Sequence, residues 1–328
     1  MGSKHGLLPW LHDVLAELKF ESALDAFSGS GCVSYLLKTM GKAVWANDFL
    51  RFASDLTRAT TENSHGTLGS DEVERLLTDT PGRRRFVEEQ FRGIFFPDED
   101  NAFLDRVWAH LPSLTQEKRA LVLASLYRSC LKRQPRGVFT VSGIGRYDDG
   151  RRDLRLSLQE HFLESVEVFN GLVFDNGRTH RSSCADVFSL EHGAVDLAYL
   201  DPPYVPRADD NCYIKRYHFL EGLASYWEGA EFHPTSKVRK LRKRHTPFSY
   251  RHAAEAAFEG LFDRFRRSII VLSYSSNGYP ELERLLALLR RYKSDVVVHE
   301  AEHRYHFGTH GRVAAKRALV TEYLIVGT

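Results

Sequence analysis

The residues best suited to chemistry end an apolar run, in the stretch Val195–Tyr204, VDLAYLDPPY. Asp201 offers a carboxylate there. Pro202 and Pro203 hold the backbone at φ of about −65° and remove two N–H donors, but their carbonyls remain available. Tyr204 adds a flat aromatic face beside them. Together these groups form a rigid set of hydrogen-bond acceptors next to an aromatic ring.

Such a set of acceptors suits a planar base that carries an exocyclic amino group. Asp201 and the Pro202 carbonyl would accept the two amine N–H bonds, and the base would stack on Tyr204. The acceptors withdraw the nitrogen lone pair from the ring and stabilise the positive charge that develops when a methyl group is attacked. The pattern favours methyl transfer to an amine, and a base in a duplex would first have to flip out. The alternative is a turn that only ends a strand.

A glycine-rich turn lies upstream, in DAFSGSGCVSYLL, residues 25–37. Gly29 and Gly31 permit positive φ and close approach of a ligand to the backbone. The following helix N-terminus offers free N–H groups. Asp48 comes 19 residues after Gly29 and is placed to bind ribose hydroxyls. Because Ser34 replaces the third glycine of the dinucleotide fingerprint and no Gly-Lys-Ser/Thr follows, we expect S-adenosylmethionine rather than a dinucleotide or nucleoside triphosphate. A tight turn that binds nothing is the alternative.

These residues need a parallel sheet to bring them together. Apolar strands alternate with helical patterns over residues 22–48 and again after about residue 176, which predicts an α/β fold. Residues 65–175 read as helices separated by turns, with one strand or hairpin in GVFTVSG, residues 137–143. The two closing strands are close in sequence, so we expect an antiparallel end strand. The predicted domains are therefore a catalytic domain, 1–64 and 176–328, and a helical insertion, 65–175.

Composition excludes several classes of protein. The 328 residues include 45 Lys and Arg against 43 Asp and Glu, so a nucleic-acid surface would depend on local clustering rather than on net charge. The four cysteines form no CxxC pair, and we expect neither a disulfide framework nor a metal site. No signal peptide and no membrane-spanning stretch is evident, which predicts a cytoplasmic protein without membrane contact.

Cations cluster in two places that suit phosphate binding. SKVRKLRKRH, residues 236–245, contains no acid and carries the six cations Lys237, Arg239, Lys240, Arg242, Lys243 and Arg244. The second group lies in the predicted insertion, where Arg133 and Arg136 are candidates for contact with nucleic acid. A solvated basic loop without a partner is the alternative for the first group.

Three motifs together resemble a known family. DPPY with FSGSG upstream is similar to S-adenosylmethionine-dependent amino-methyltransferases, and GSKHGLLPWL near the N-terminus resembles the opening motif of Dam-like adenine methyltransferases. Their order matches the alpha group of DNA adenine enzymes. The resemblance implies a Rossmann-like class I methyltransferase sheet and a target-recognition role for the insertion. It also implies that Lys4, Phe27, Ser28 and Asp186 lie against the cofactor.

The sequence thus favours a site-specific adenine methyltransferase that acts on double-stranded DNA. A methyltransferase for adenine or guanine amino groups of RNA is the second hypothesis, and a catalytically silent nucleic-acid-binding subunit is the third. A restriction enzyme or a larger defence system is a candidate partner.

Overall fold

The structure is a computed structural model that describes residues 4–142, 150–190, 195–203, 205, 212–304 and 319–328. Within these residues seven strands form one sheet. The strands are β1 (Ser22–Asp25), β2 (Ala43–Asp48), β3 (Arg181–Cys184), β4 (Leu197–Leu200), β5 (Ile269–Ser275), β6 (Val296–Arg304) and β7 (Leu319–Gly327). Their order across the sheet is β3-β2-β1-β4-β5-β7-β6.

Five neighbouring strands are parallel, and one strand runs against them. β3, β2, β1, β4 and β5 pair in parallel, whereas β7 pairs antiparallel with both β5 and β6. The predicted α/β fold, mostly parallel with an antiparallel strand at one end, is confirmed. The reversed strand β7 lies one position inside the edge, which β6 forms.

The strand order creates a crevice between β1 and β4. From β1 the chain moves outward to β2 and β3, and it then returns to place β4 and β5 on the other side of β1. In open parallel sheets, ligands bind where the order reverses, outside the carboxyl ends of the strands. The residues that follow β1, β2 and β4 are the glycine turn, Phe49 and Asp201, so the predicted site residues converge at this edge.

Helices cover both faces of the sheet. They are α1 (Leu8–Ala16), α2 (Cys32–Thr39), α3 (Arg51–Thr57), α4 (Ser70–Leu77), α5 (Phe86–Gln90), α6 (Asp98–His110), α7 (Gln116–Arg133), α8 (Arg152–Arg155), α9 (Leu158–Asn170), α10 (Tyr213–Ser225), α11 (Arg251–Arg264) and α12 (Leu282–Leu289). Apolar side chains of α1 and α2 pack on one face, and those of α11 and α12 pack on the other. The apolar strand β5 is buried along almost its whole length because both faces are covered.

Helices α4 to α9 lie between β2 and β3 in the chain, as the helical pattern over 65–175 predicts. Their apolar side chains share one core with residues of α3 and α10. Tyr127 of α7 also donates a 2.8 Å hydrogen bond to the buried Asp55 of α3. The helical region is therefore packed directly against α3, which follows β2, and against α10.

The predicted strand or hairpin in residues 137–143 is wrong for the part that is described. Residues 137–140 form bends, and residues 141 and 142 are irregular, so no strand is present there. Phe139 is fully buried among Phe95, Phe96 and Phe219, and its backbone N–H donates to the Arg216 carbonyl at 2.9 Å. The apolar residues thus fill an aromatic cluster against α10 instead of pairing with a second strand. Among the described residues, no helix is long and apolar enough to cross a membrane.

Candidate active site

A cleft of about 1210 Å³, open to solvent, lies at the carboxyl ends of β1, β2 and β4. It brings together most of the predicted catalytic and cofactor residues, namely Lys4, Phe27, Ser28, Gly29, Asp48, Asp186, Asp201 and Pro203, and one of the predicted cations, Arg244. Pro202 is buried directly behind Asp201. Tyr204 lies outside the described residues. The cleft therefore joins the glycine turn to the start of the Asp-Pro-Pro-Tyr stretch, as the strand order requires.

The glycine turn needs glycine at both predicted positions. Gly29 has φ of 53° and Gly31 has φ of 78°, a left-handed conformation that side chains disfavour. A Cβ atom at Gly31 would also lie 3.1 Å from Cγ2 of Thr57. The Gly31 N–H donates to the Ser28 carbonyl at 2.7 Å, and Gly31 caps the N-terminus of α2. The turn thus presents its backbone to the cleft at the start of a helix.

Asp48 ties the glycine turn to the end of β2. Its Oδ2 accepts a hydrogen bond from the Gly29 N–H at 2.8 Å, and its Oδ1 accepts one from the Leu50 N–H at 2.8 Å. Burial raises the pKa of Asp48 to about 6, although the backbone hydrogen bonds act in the opposite direction. Each carboxylate oxygen has a second lone pair, so Asp48 can still accept hydrogen bonds from a ligand.

Asp201 faces the cleft and is paired with Lys4. Its Oδ1 lies 3.5 Å from Lys4 Nζ, which also donates a 3.0 Å hydrogen bond to Oε2 of Glu322 on β7. Lys4 and Glu322 are buried, whereas the Asp201 side chain is 22% exposed. Burial raises the pKa of Asp201 to about 6; the Lys4 charge lowers it and the Glu322 charge raises it. Asp201 is thus mostly a carboxylate at neutral pH.

Two further polar atoms in residues that line the cleft have no hydrogen-bond partner among the described residues. Asp25 ends β1 and accepts a 2.6 Å hydrogen bond from the Ser34 hydroxyl through Oδ2, but its Oδ1 and the Ser28 hydroxyl are buried and unpaired. Burial raises the pKa of Asp25 to about 7. Buried polar atoms without partners are costly, and a ligand that supplies hydrogen bonds would satisfy them. Sequence reasoning missed Asp25, although its place immediately before the glycine turn was a usable signal.

Aromatic side chains form one wall of the cleft. Phe27 meets Phe248 edge to face at 5.6 Å, and Phe248 stacks on Phe188 at 5.9 Å. Asp186 caps the short turn that holds Phe188, because its Oδ1 accepts the Phe188 N–H at 2.9 Å. Tyr213 of α10 also lines the cleft. Such a wall provides apolar surface for a flat ring next to the acceptors.

The basic segment 236–245 folds back on residues 231–233. Phe232 and Leu241 form a β-bridge, and Val238 is buried. Of the six predicted cations, Lys240 is partly buried and the other five are exposed: Lys237, Arg239, Arg242, Lys243 and Arg244. Arg242 pairs with Glu231 at 3.0 Å. We refer to residues 231–242 as the basic hairpin.

Arg244 differs from its neighbours because it belongs to the cleft wall. Its guanidinium group pairs with the buried Glu221 of α10 and lies 4.8 Å from the ring centre of Phe49. The Phe52 N–H donates to the other Glu221 oxygen at 3.3 Å. Arg244 thus connects the basic segment to the residues that follow β2, a contact that the count of charges in the sequence did not indicate.

The cations predicted in the insertion have a different environment. Arg133 is only 13% exposed; its Nε lies 3.2 Å from Asp100 Oδ2, and it also donates to the Leu154 carbonyl. Lys132 and Arg152 both pair with Glu164. Arg136 is exposed. Arg133 would have to leave its internal partners to contact nucleic acid, which the spacing of cations did not indicate.

The sheet order and the residues at its edge define the class of protein. A β3-β2-β1-β4-β5-β7-β6 sheet with a reversed β7, a glycine turn after β1 and a carboxylate at the end of β2 is a Rossmann-like methyltransferase fold. The chain belongs to the family of D12 class N6 adenine-specific DNA methyltransferases, which residues 1–274 match. It is therefore a site-specific adenine DNA methyltransferase, and its reaction requires a methyl donor.

Curated relatives agree with this assignment. The chain is 28% identical to the type II methyltransferase M2.HphI of Haemophilus parahaemolyticus, over 93% of this chain and 90% of the relative. It is 24% identical to the type II methyltransferase M.NlaIII of Neisseria lactamica, over 90% and 89% of the two chains. It is also 24% identical to modification methylase LlaI of Lactococcus lactis, where the match covers half of the relative.

Proposed function

We propose that the protein transfers a methyl group from S-adenosylmethionine to the exocyclic amino group of an adenine flipped out of double-stranded DNA. The observation that carries this proposal is the shared cleft of the Gly29 turn and the partly exposed Asp201 carboxylate. One cleft can then hold both the methyl donor and the amine. Family membership supports DNA adenine as the substrate.

The cofactor fits the end of the cleft next to β1 and β2. The residues we assign to it are Lys4, Phe27, Ser28, Gly29, Gly31, Asp48 and Asp186, and we add Asp25. The fit rests on chemistry: Asp48 has spare acceptor capacity for ribose hydroxyls, while Asp25 Oδ1 and the Ser28 hydroxyl are unpaired. When bound, S-adenosylmethionine supplies a methyl group on an electron-poor sulfonium centre.

The target amine fits the end of the cleft next to β4. Asp201 and the Pro202 carbonyl accept its two N–H bonds, and Pro203 lines the cleft; stacking of the base on Tyr204 stays a prediction from the sequence motif. With a pKa of about 6, Asp201 is ionised at neutral pH and acts as an acceptor rather than a donor. If the amine accepts the methyl group of a bound donor, positive charge would develop on its nitrogen; the carboxylate would stabilise that charge, and the amine proton would then pass to solvent. Fixed alignment of the reactants contributes the rest, up to roughly 7–11 kcal/mol.

DNA contact is assigned chiefly to the basic segment. Lys237, Arg239, Lys240, Arg242 and Lys243 are suited to phosphates, and Arg244 is suited to the cleft mouth because it forms part of the wall. The helices of 65–175 remain our proposed target-recognition domain. Arg136 stays a candidate there, whereas the internal ion pair of Arg133 favours a structural role.

A restriction endonuclease is the proposed partner of this enzyme. Two relatives are named type II methyltransferases and two are named modification methylases, and these names support the proposal. We also propose a cytoplasmic location, where the enzyme meets the DNA. Methylation of the host DNA at one sequence that a neighbouring nuclease cuts would support this partner.

The decisive experiment offers labelled S-adenosylmethionine to the purified protein with duplex DNA, single-stranded DNA or structured RNA. We expect label in N6-methyladenine of duplex DNA. Transfer to RNA alone would favour the RNA methyltransferase, and tight DNA binding without transfer would favour the silent subunit. Replacing the methylated adenine by 2-aminopurine tests flipping separately, because its fluorescence rises when the base leaves the stack.

A further inference from the structure

Glu322 is an acid in a strand that otherwise suits a protein core. It is fully buried on β7, and its neighbours across the sheet are Ser275 on β5 and Ala301 on β6, neither of which is a cation. Within the described residues, the cation that reaches it is Lys4, at 3.0 Å. Its second oxygen, Oε1, has no hydrogen-bond partner there. A carboxylate buried in this way is costly, so its presence calls for a function.

The Lys4 ammonium is shared unequally between two carboxylates. It is at hydrogen-bond distance from Glu322, 3.0 Å, and at the longer distance of 3.5 Å from Asp201. N–H···O hydrogen bonds of normal strength have N···O distances of about 2.7–3.2 Å. Of these two carboxylates, Glu322 therefore binds Lys4 more closely, and Asp201 keeps most of its acceptor capacity for the cleft.

We propose that Glu322 is a positioning residue for methyl transfer: it holds the Lys4 ammonium back from Asp201 and leaves the Asp201 carboxylate available to the target amine. The proposal rests on the proposed function of Asp201. With Glu322 present, one ammonium lies between two carboxylates, and the group carries one net negative charge. Without it, Lys4 and Asp201 would form a neutral pair, which stabilises a developing positive charge less well.

Other groups that face Asp201 must be considered together with Glu322. Among the described residues these are Lys4, Asp25 at the end of β1, Tyr199 on β4 and Tyr213 on α10. Lys4 lowers the pKa of Asp201 and Glu322 raises it, whereas burial is the largest cause of the raised value. Removal of Lys4 and removal of Glu322 should therefore shift the pKa of Asp201 in opposite directions, and the kinetic measurement below separates a role in methyl transfer from a purely structural one.

The test measures the Asp201 carboxyl titration by ¹³C NMR in the protein without cofactor or DNA. In Glu322→Gln we expect the pKa of Asp201 to fall by about one unit, the size expected when a nearby like charge is removed. In Lys4→Gln we expect it to rise. Glu300→Gln is the matched control, because Glu300 is an exposed acid on the neighbouring strand β6, and it should cause no shift. An unchanged Asp201 titration in Glu322→Gln would overturn the proposal.

Kinetics provide the second measurement. At pH 8 we expect Glu322→Gln to reduce kcat about tenfold, as one unit of acceptor strength implies, with the KM for DNA unchanged. A normal kcat would also overturn the proposal. If Glu322→Gln does not fold, Lys4→Gln decides instead: an Asp201 pKa that stays constant or falls there contradicts the arrangement. If the wild-type protein transferred no methyl group, the proposed function would fail, but the NMR shifts would still test the ion-pair arrangement.

Discussion

Two ion pairs, one in the helical region and one in the cleft, each join a cation to an aspartate, but their environments differ. In the helical region, Arg133 pairs with Asp100 and also donates to the Leu154 carbonyl. The second Asp100 oxygen accepts the Leu158 N–H at 2.8 Å. Both oxygens of this aspartate therefore have a partner inside the protein, and both partners of the pair are largely buried.

The pair in the cleft is left incomplete. Within the described residues Asp201 has one distant partner, Lys4 at 3.5 Å, and its side chain is 22% exposed. Burial raises its pKa to about 6, and among these residues no backbone donor offsets the effect. The comparison favours a structural role for the Asp100 carboxylate, whose oxygens both have internal partners, and supports our proposal that the desolvated but unsatisfied Asp201 carboxylate binds a ligand.

The largest effect is expected for Asp201→Asn, which tests the role of the cleft carboxylate: it should abolish most of the activity and leave the fold intact. We expect kcat to fall by about 10²–10³-fold or more, the effect of removing one group that stabilises transition-state charge. Single-turnover transfer at saturating DNA measures this loss. DNA affinity from fluorescence anisotropy should remain within a few-fold of wild type, and equal loss of binding and transfer would contradict the role given to Asp201.

Arg133→Met should have the opposite result: reduced stability with normal chemistry. It leaves Asp100 charged and partly unpaired in a buried site, so we expect the free energy of unfolding to fall by about 3–5 kcal/mol. Urea unfolding measures this change. The transfer rate per folded molecule should not change. A stable Arg133→Met protein with weakened DNA binding would instead restore Arg133 as a contact to nucleic acid.

The raised pKa values of the cleft carboxylates predict that both the transfer rate and the stability depend on pH. Asp201 accepts the amine only as a carboxylate, so single-turnover transfer should fall about tenfold per unit as the pH drops below about 6. The cleft carboxylates should make the opposite contribution to the pH dependence of stability. The pKa values of Asp25, Asp48 and Asp201 are raised to about 7, 6 and 6, so the folded protein retains protons that the unfolded chain has lost. The contribution of these three carboxylates to the free energy of unfolding should therefore decrease from about pH 4 to pH 7.

Measurement of both quantities on the same samples checks this prediction. Urea unfolding of the protein without ligands gives the stability at each pH, and a rapid-quench assay with saturating cofactor gives the rate. Asp25→Asn should remove part of the pH dependence of stability. A pH dependence of stability that Asp25→Asn leaves unchanged would mean that this cleft carboxylate is not among the groups that titrate.

Much of this site was predictable because it depends on local sequence. Gly29 and Gly31 follow the first predicted strand, and Asp48 ends the second. A parallel sheet brings the ends of these strands to one edge. Long-range contacts were not predictable. The pairing of Arg133 with Asp100 joins two helices, and nothing near Lys4 in the sequence indicates Glu322. Likewise, cation spacing could not distinguish Arg244, which forms the cleft wall, from the exposed cations of the basic hairpin.

The smallest expected effect concerns surface cations, and it extends the same distinction to the DNA interface. Lys237 and Arg239 are exposed on the basic hairpin, whereas Lys132 and Arg152 both pair with Glu164. Each phosphate contact adds roughly 0.9 to the slope of log affinity against log salt concentration. Lys237→Gln with Arg239→Gln should therefore reduce the slope by about 2 and weaken DNA binding a few-fold near 0.15 M salt.

Lys132→Gln with Arg152→Gln is the matched control, since it removes the same charge from cations that already have an acidic partner. It should leave the salt slope unchanged. Anisotropy titrations of one duplex at several salt concentrations measure both variants. If the control reduces the slope as much as the hairpin variant does, an internal partner does not keep a cation from DNA, and the distinction drawn from the two ion pairs would not extend to the surface.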